Sequence, residues 1–102
     1  MINETIKAMI ESHQVVLFMK GSADTPQCGF SAHAVALLRK HQVAFHGENI
    51  LLNPELRQGL KDFSDWPTFP QLYVQGEFMG GVDIMREMDE AGELAEALIV
   101  QA

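Results

Sequence analysis

The sequence predicts a mixed α/β fold, a small mixed sheet covered by helices on both faces, from three observations. Helix-period and strand-like segments follow one another in the order α-β-α-β-α-β-β-α. The run Val15-Val16-Leu17-Phe18-Met19 is apolar without interruption, which suits a strand buried on both faces. The first two strand-like segments are separated by a helical stretch, the makings of a parallel crossover, while the last two are separated only by Gln75-Gly76, the makings of an antiparallel hairpin. Periodicity leaves the strand order open.

Taken in turn, Ile2, Ile6, Met9 and Ile10 recur at helical spacing and predict a first amphipathic helix ahead of the apolar strand. Lys20 to Gln27 holds Gly21, Ser22, Asp24 and Pro26, which is loop chemistry, and leads to Cys28. Phe30, Ala34, Leu37, Leu38 and His41 share a face of the next helix, so Cys28 falls near its N-terminus; Phe30, at the head of the apolar stripe, is expected as a core anchor, the alternative being a residue that shields the site. Val43 to His46 reads as the second strand. Asn53-Pro54-Glu55 starts a helix, with Asn53 as N-cap, Pro54 in the first turn and Leu56, Leu60 and Phe63 as its apolar face. Leu72-Tyr73-Val74 and Glu77-Phe78-Met79 form the hairpin. Ile84 to Val100 is expected to be helical with an interruption around Gly92, and no internal repeat or low-complexity tract is present.

A chain of 102 residues with 47% hydrophobic and 21% charged residues can bury enough apolar surface to fold as one domain rather than stay disordered. Its net charge of -7 is the wrong sign for non-specific attraction to nucleic acid or an anionic membrane, so an anionic ligand needs a local positive site. No apolar run approaches the roughly 20 residues of a membrane span, and Met1 to His13 mixes acids with apolar residues, unlike an export signal. One cysteine cannot form an internal disulfide, and a soluble protein of the reducing cytoplasm is the expectation.

The lone thiol is the residue that most needs a role. A thiolate, not a thiol, attacks disulfides and binds soft metals, and two features favour it at Cys28: the free N–H groups of the helix start and the charge of Lys20 at the end of the preceding strand. The alternative is a buried structural cysteine, a common fate of this residue type.

Cys28-Gly29-Phe30-Ser31 resembles the CGFS active-site motif of monothiol glutaredoxins. Phe18-Met19-Lys20-Gly21 upstream, Trp66-Pro67-Thr68-Phe69-Pro70-Gln71 downstream, then Gly80-Gly81 and Asp83 resemble that family's other motifs in order and spacing. The resemblance spans nearly the whole chain and implies a thioredoxin-like fold with a four-stranded mixed sheet flanked by helices. Ser31 stands where dithiol glutaredoxins have a second cysteine, so a mixed disulfide at Cys28 has no internal resolving thiol and needs an external one. Glutathione is that thiol in the resembled family.

The resemblance also implies a glutathione site. Lys20 and Arg57 correspond to residues facing the glycine carboxylate, a group that arginine can engage with two parallel hydrogen bonds; on composition alone Arg57 is a solvated helix charge. Thr68, Phe69 and Pro70 correspond to a cis-proline segment whose Phe69 backbone would pair with the cysteinyl part of the ligand like an added strand. Gly81 and Val82 would offer backbone to the γ-glutamyl carboxylate at the start of a helix, and Asp83 would meet the ammonium, unless Asp83 is simply a helix cap. Trp66 is either a core aromatic or an exposed residue beside the ligand loop.

A 2Fe-2S cluster takes four ligands, usually thiolates, whereas each chain here supplies one. Two Cys28 thiolates and two glutathiones complete the set, so the resemblance implies a cluster-bridged homodimer, with Cys28 as metal ligand and BolA-type proteins and apo iron-sulfur proteins as partners. A glutathione-dependent thiol-disulfide oxidoreductase is the alternative. A mononuclear site joining Cys28 to His13, His33, His41 or His46 is disfavoured, because the histidines make no short ligand motif.

Overall fold

The five apolar residues of β1 (Val15–Met19) are all buried and form an inner strand of the sheet in the computed structural model, which describes residues 1–98. β1 pairs parallel with β2 (His46–Asn49) and antiparallel with β3 (Gln71–Val74), which pairs in turn with β4 (Glu77–Gly80), giving the order β2-β1-β3-β4. Because successive side chains of a strand point to opposite faces, one apolar run serves two cores. Val15, Leu17 and Met19, with Leu72 and Val74, face α2 (Gly29–Lys40), α4 (Val82–Glu90) and α5 (Leu94–Leu98). Val16 and Phe18, with Tyr73, face α1 (Ile2–Ser12) and α3 (Pro54–Ser64). The expected mixed sheet flanked by helices is the architecture found.

Local chemistry sets most boundaries as expected. The Asn53 side chain accepts from the Leu56 N–H at 3.1 Å and Pro54 sits in the first turn of α3. Two boundaries differ from the expectation. β2 runs His46–Asn49 rather than Val43 to His46, because α2 ends in a left-handed residue, Gln42 (φ 57°), and its closing bonds run from Gln42 N–H to Arg39 O (3.0 Å) and from Val43 N–H to Leu38 O (3.2 Å). Val43 is thus committed to the helix end, and Val43 and Phe45 pack on the core without pairing. The final helical region begins at Val82 and is broken between α4 and α5 at Gly92, whose φ is +75°. Its expected extension over Ile99 and Val100 lies outside the described residues.

The sheet register assembles one end of the molecule. Phe18 is opposite Gln71, so continuing the pairing brings Lys20 level with Phe69–Pro70, while Leu72 opposite Gly80 places the start of α4 beside both. The loop to Cys28 folds back on β1 through Gln27 N–H to Lys20 O at 2.8 Å, and Asn49 Oδ1 accepts from Gly21 N–H at 3.0 Å. Gly21 has φ +93°, and a Cβ there would stand 2.5 Å from Gln27 N, so that fold-back excludes any side chain at this position.

Candidate active site at Cys28

Cys28 is the N-cap residue of α2, extended in backbone (φ -151°, ψ 137°) and half-buried, which is not the sealed environment of a structural cysteine. Its sulfur makes no well-formed cap hydrogen bond, yet it stands where the first-turn N–H groups point. The Ser31 N–H is the largest influence lowering its pKa below the ordinary thiol value, followed, against a smaller effect of burial, by the Phe30 N–H, the Lys20 charge and the Ser31 hydroxyl. Since folding lowers this pKa, the ionised sulfur contributes stability that is present above the unfolded thiol's pKa and is lost as pH falls through the folded value.

Ser31, the residue that replaces a second thiol, is fully buried and accepts the Lys20 backbone N–H at 3.0 Å. It therefore joins the end of β1 to the start of α2. Changing Ser31 to alanine is expected to raise the Cys28 pKa, read from thiolate ultraviolet absorbance against pH. It should also cost about 1–3 kcal/mol of stability, because the Lys20 N–H loses its acceptor.

Phe30 departs from its expected core role: it is 63% exposed. The face of α2 that meets the sheet is centred on Ser31, Ala34, Val35 and Leu38, and Phe30 lies one residue, about 100° of helix rotation, off that centre. With Cys28 it lines a cleft of about 400 Å³. The same cleft brings together the residues that the resemblance assigns to glutathione and the cluster, Lys20, Cys28, Arg57, Thr68, Phe69, Pro70, Gly81, Val82 and Asp83, and none of the four histidines.

Each wall has a local cause. α3 closes on Asp65 in the left-handed region, with Trp66 N–H returning to Lys61 O at 3.2 Å, which turns Trp66-Pro67-Thr68 toward Cys28. The Phe69–Pro70 peptide is cis, as the motif implied. Phe69 buries its side chain in the α1/α3 core, so it offers the cleft its backbone. Trp66 combines both expected placements: it lies 5.6 Å from Phe78, centroid to centroid, and also lines the cleft. Gly81 is the N-cap of α4, and a Cβ there would sit 3.2 Å from Trp66 Nε1 and 3.3 Å from Pro70 O, so the lack of a side chain lets these walls close together. Asp83 is no cap: its side chain is exposed and pairs with Arg86 at 3.3 Å.

α3 contributes two cations one turn apart, Arg57 and Lys61. Lys61 was missed in the sequence, although its position four residues after Arg57 was the signal for a shared face. The Arg57 Nε is buried with no hydrogen-bond partner among the described residues, an orphan donor at the margin of a cleft whose other charges include Lys20 and Lys61. No group of three or more histidine, cysteine, aspartate or glutamate side chains able to hold a metal occurs among the described residues. His41 pairs with Asp89 at 2.6 Å, and His46 bonds Glu48 at 3.0 Å while stacking on His13. No helix among the described residues is long and apolar enough to cross a membrane.

A sheet of this order, a single cysteine capping the helix after its first strand and a cis-proline lining the same cleft define a one-thiol protein of the thioredoxin-like fold. The sequence profile of the glutaredoxin family matches residues 15–79. Monothiol glutaredoxin-4 of Schizosaccharomyces pombe is 54% identical over 97 residues, which are 95% of this chain and 40% of that protein. Probable monothiol glutaredoxin 2 of Rickettsia felis is 53% identical over 95 residues, covering 93% of this chain and 91% of that protein. The solution structure of reduced poplar apo GrxS14 superposes with a TM-score of 0.82 at 54% identity, over 93% of this chain and 87% of that one. The chain belongs to the glutaredoxin family, in its monothiol group. It spans less than half the length of the fission-yeast relative.

Proposed function

We propose that residues 1–102 act as one glutaredoxin domain that binds glutathione in the Cys28 cleft and, with it, holds and transfers a 2Fe-2S cluster between two copies of the chain. The observation that carries this reading is a lone, half-buried thiol with a lowered pKa on a cleft that also presents Lys20, Arg57 and Lys61. In a chain of net charge -7, three cations gathered on one cleft select for an anionic ligand, and glutathione carries two carboxylates. Lys20 and Arg57 would take the glycine carboxylate, with Lys61 beside them. The Phe69 backbone, with Thr68 and Pro70 shaping its segment, would take the cysteinyl unit. Gly81 and Val82 at the start of α4 would take the γ-glutamyl carboxylate, and Asp83 the ammonium.

The donor set supports the shared-cluster reading. One thiolate per chain, with no three-ligand group elsewhere among the described residues, leaves a cluster three ligands short, and a second Cys28 with two glutathione thiolates supplies them. Ligands lent from outside also leave the cluster open to transfer, so apo iron-sulfur proteins and a BolA-type protein are the proposed partners, in the cytoplasm. Thiol-disulfide exchange is a second reading, favoured by the accessibility and lowered pKa of the same sulfur; there Cys28 takes glutathione from a mixed disulfide and a second glutathione releases it, since Ser31 cannot.

Anaerobic reconstitution with iron, sulfide and glutathione separates the two. The cluster reading expects visible absorption to appear together with a species of twice the 11.4 kDa chain mass, and neither without glutathione. A chromophore that forms equally well with no low-molecular-weight thiol would overturn it. Rapid deglutathionylation by the cluster-free chain, with no cluster formed, would put the exchange reading first.

A further inference from the structure

We infer that Gln71 is a positioning residue: its buried amide fixes the Trp66–Thr68 segment, and through it the Phe69–Pro70 wall, at the height from which that wall's backbone can meet glutathione. This role presupposes the glutathione reading above and deepens it.

Gln71 and Ser31 are the polar side chains of the buried interior among the described residues, and both are fully enclosed. Gln71 Nε2 donates to Trp66 O at 3.2 Å and to Thr68 O at 3.3 Å. Carbonyl oxygens only accept, so the NH₂ end of the amide must be the end that faces them. Behind it, Gln71 Oε1 accepts from the Tyr73 hydroxyl at 3.4 Å. Tyr73 is itself buried, in edge contact with Phe18, and burial, against a smaller lowering by a hydrogen bond with Ser64, pushes its pKa up to about 12, so the hydroxyl stays protonated across the working pH range. The amide is thus held from the core on one side and holds two loop carbonyls on the other.

An apolar side chain of the same shape would suit this position on β3, whose neighbours Leu72, Tyr73 and Val74 are buried. The amide adds a conditional fit. Its two N–H groups are satisfied only while Trp66 O and Thr68 O stand where they do, and any other course of the loop leaves donors and acceptors buried and unpaired. Ser31 does the corresponding work on the opposite wall by accepting the Lys20 N–H. The two walls therefore hang on separate buried groups, and a defect at one is separable from a defect at the other.

Gln71→Met keeps the volume and removes both donors; Gln71→Glu keeps an acceptor for Tyr73 and regains one donor when protonated. The full chain and both variants are titrated with reduced glutathione by amide chemical shift, and the pH profile of Cys28 alkylation is recorded for each. Gln71→Met leaves Trp66 O and Thr68 O without their buried donor and releases the loop from this one course, so it is expected to raise the glutathione Kd at least about tenfold, with the alkylation profile unchanged. Gln71→Glu is expected to recover affinity as pH falls, a rescue that loss of packing cannot produce. An unchanged Kd in Gln71→Met, even with a lower melting temperature, overturns the positioning role. So does loss of affinity and of the Cys28 profile in step, because the amide then serves the whole fold and not one wall. No binding by the unmodified chain overturns the glutathione reading itself, and this role with it.

Discussion

Cys28→Ser is expected to abolish both cluster assembly and exchange with glutathione mixed disulfides while leaving the fold, at a pH low enough that the Cys28 sulfur is protonated, as stable as before or slightly more so. The first-turn N–H groups and Lys20 bring a thiol below its ordinary pKa, but an alcohol starts so far above the neutral range that the same surroundings leave it protonated, and it is neither a nucleophile for disulfides nor a ligand for iron. Stability should hold for a separate reason. Position 28 is the N-cap of α2, the sulfur there makes no well-formed cap bond, and serine is among the favoured residues at such a position, with about 0.5–2 kcal/mol separating good caps from poor ones. The check pairs two measurements on one preparation: visible absorption after reconstitution, expected at background, and thermal melting by circular dichroism at that lower pH, expected at or above that of the parent. A variant that still assembles the cluster would remove Cys28 from the ligand set.

The largest effect on stability is expected from Phe18→Ala. Phe18 is fully buried near the C-terminal end of β1, in edge contact with Tyr73 at 5.5 Å, and its core also contains Leu56, Leu60 and Phe69. Truncating such a side chain costs about 3–5 kcal/mol, and each kcal/mol lowers the melting temperature of a domain this size by roughly 4–8 °C. Urea denaturation should show a lower midpoint at unchanged slope. The same change at Phe30, on a side chain mostly in solvent, is expected to stay within about 0.5 kcal/mol of zero. Equal costs at the two positions would contradict the burial assigned to each.

The comparison of these phenylalanines also shows what the sequence could and could not convey. Phe18 lies in a run where every residue is apolar, so its burial needs no knowledge of phase. Phe30 reads as core because it heads the apolar stripe of α2, four residues before Ala34, a spacing met equally by the centre of a helical face and by its margin; only the sheet beneath α2 selects Ser31 as the centre. The second strand starts later than its apolar residues for a related reason. Val43, Ala44 and Phe45 carry the apolar signal, but the hydrogen bonds that end α2 take the Val43 N–H, and pairing with β1 begins at His46. Local chemistry with a fixed partner was legible: Asn53 capping α3, Gln75-Gly76 turning the hairpin, Gly92 breaking the last helix. In the candidate site, the motif residues were legible by likeness and the structure places them around one cleft. Lys61 and the buried roles of Ser31 and Gln71 were not, because a hydrogen bond to a backbone group distant in the chain leaves no periodicity to read.

The placement of the chain's one indole has an optical consequence. Trp66 is the only tryptophan, and it lines the cleft; the only tyrosine, Tyr73, lies in the core against Phe18. Red-edge excitation therefore yields an emission signal arising from the cleft alone, and the unlabelled chain carries its own dye at the point where a ligand would arrive.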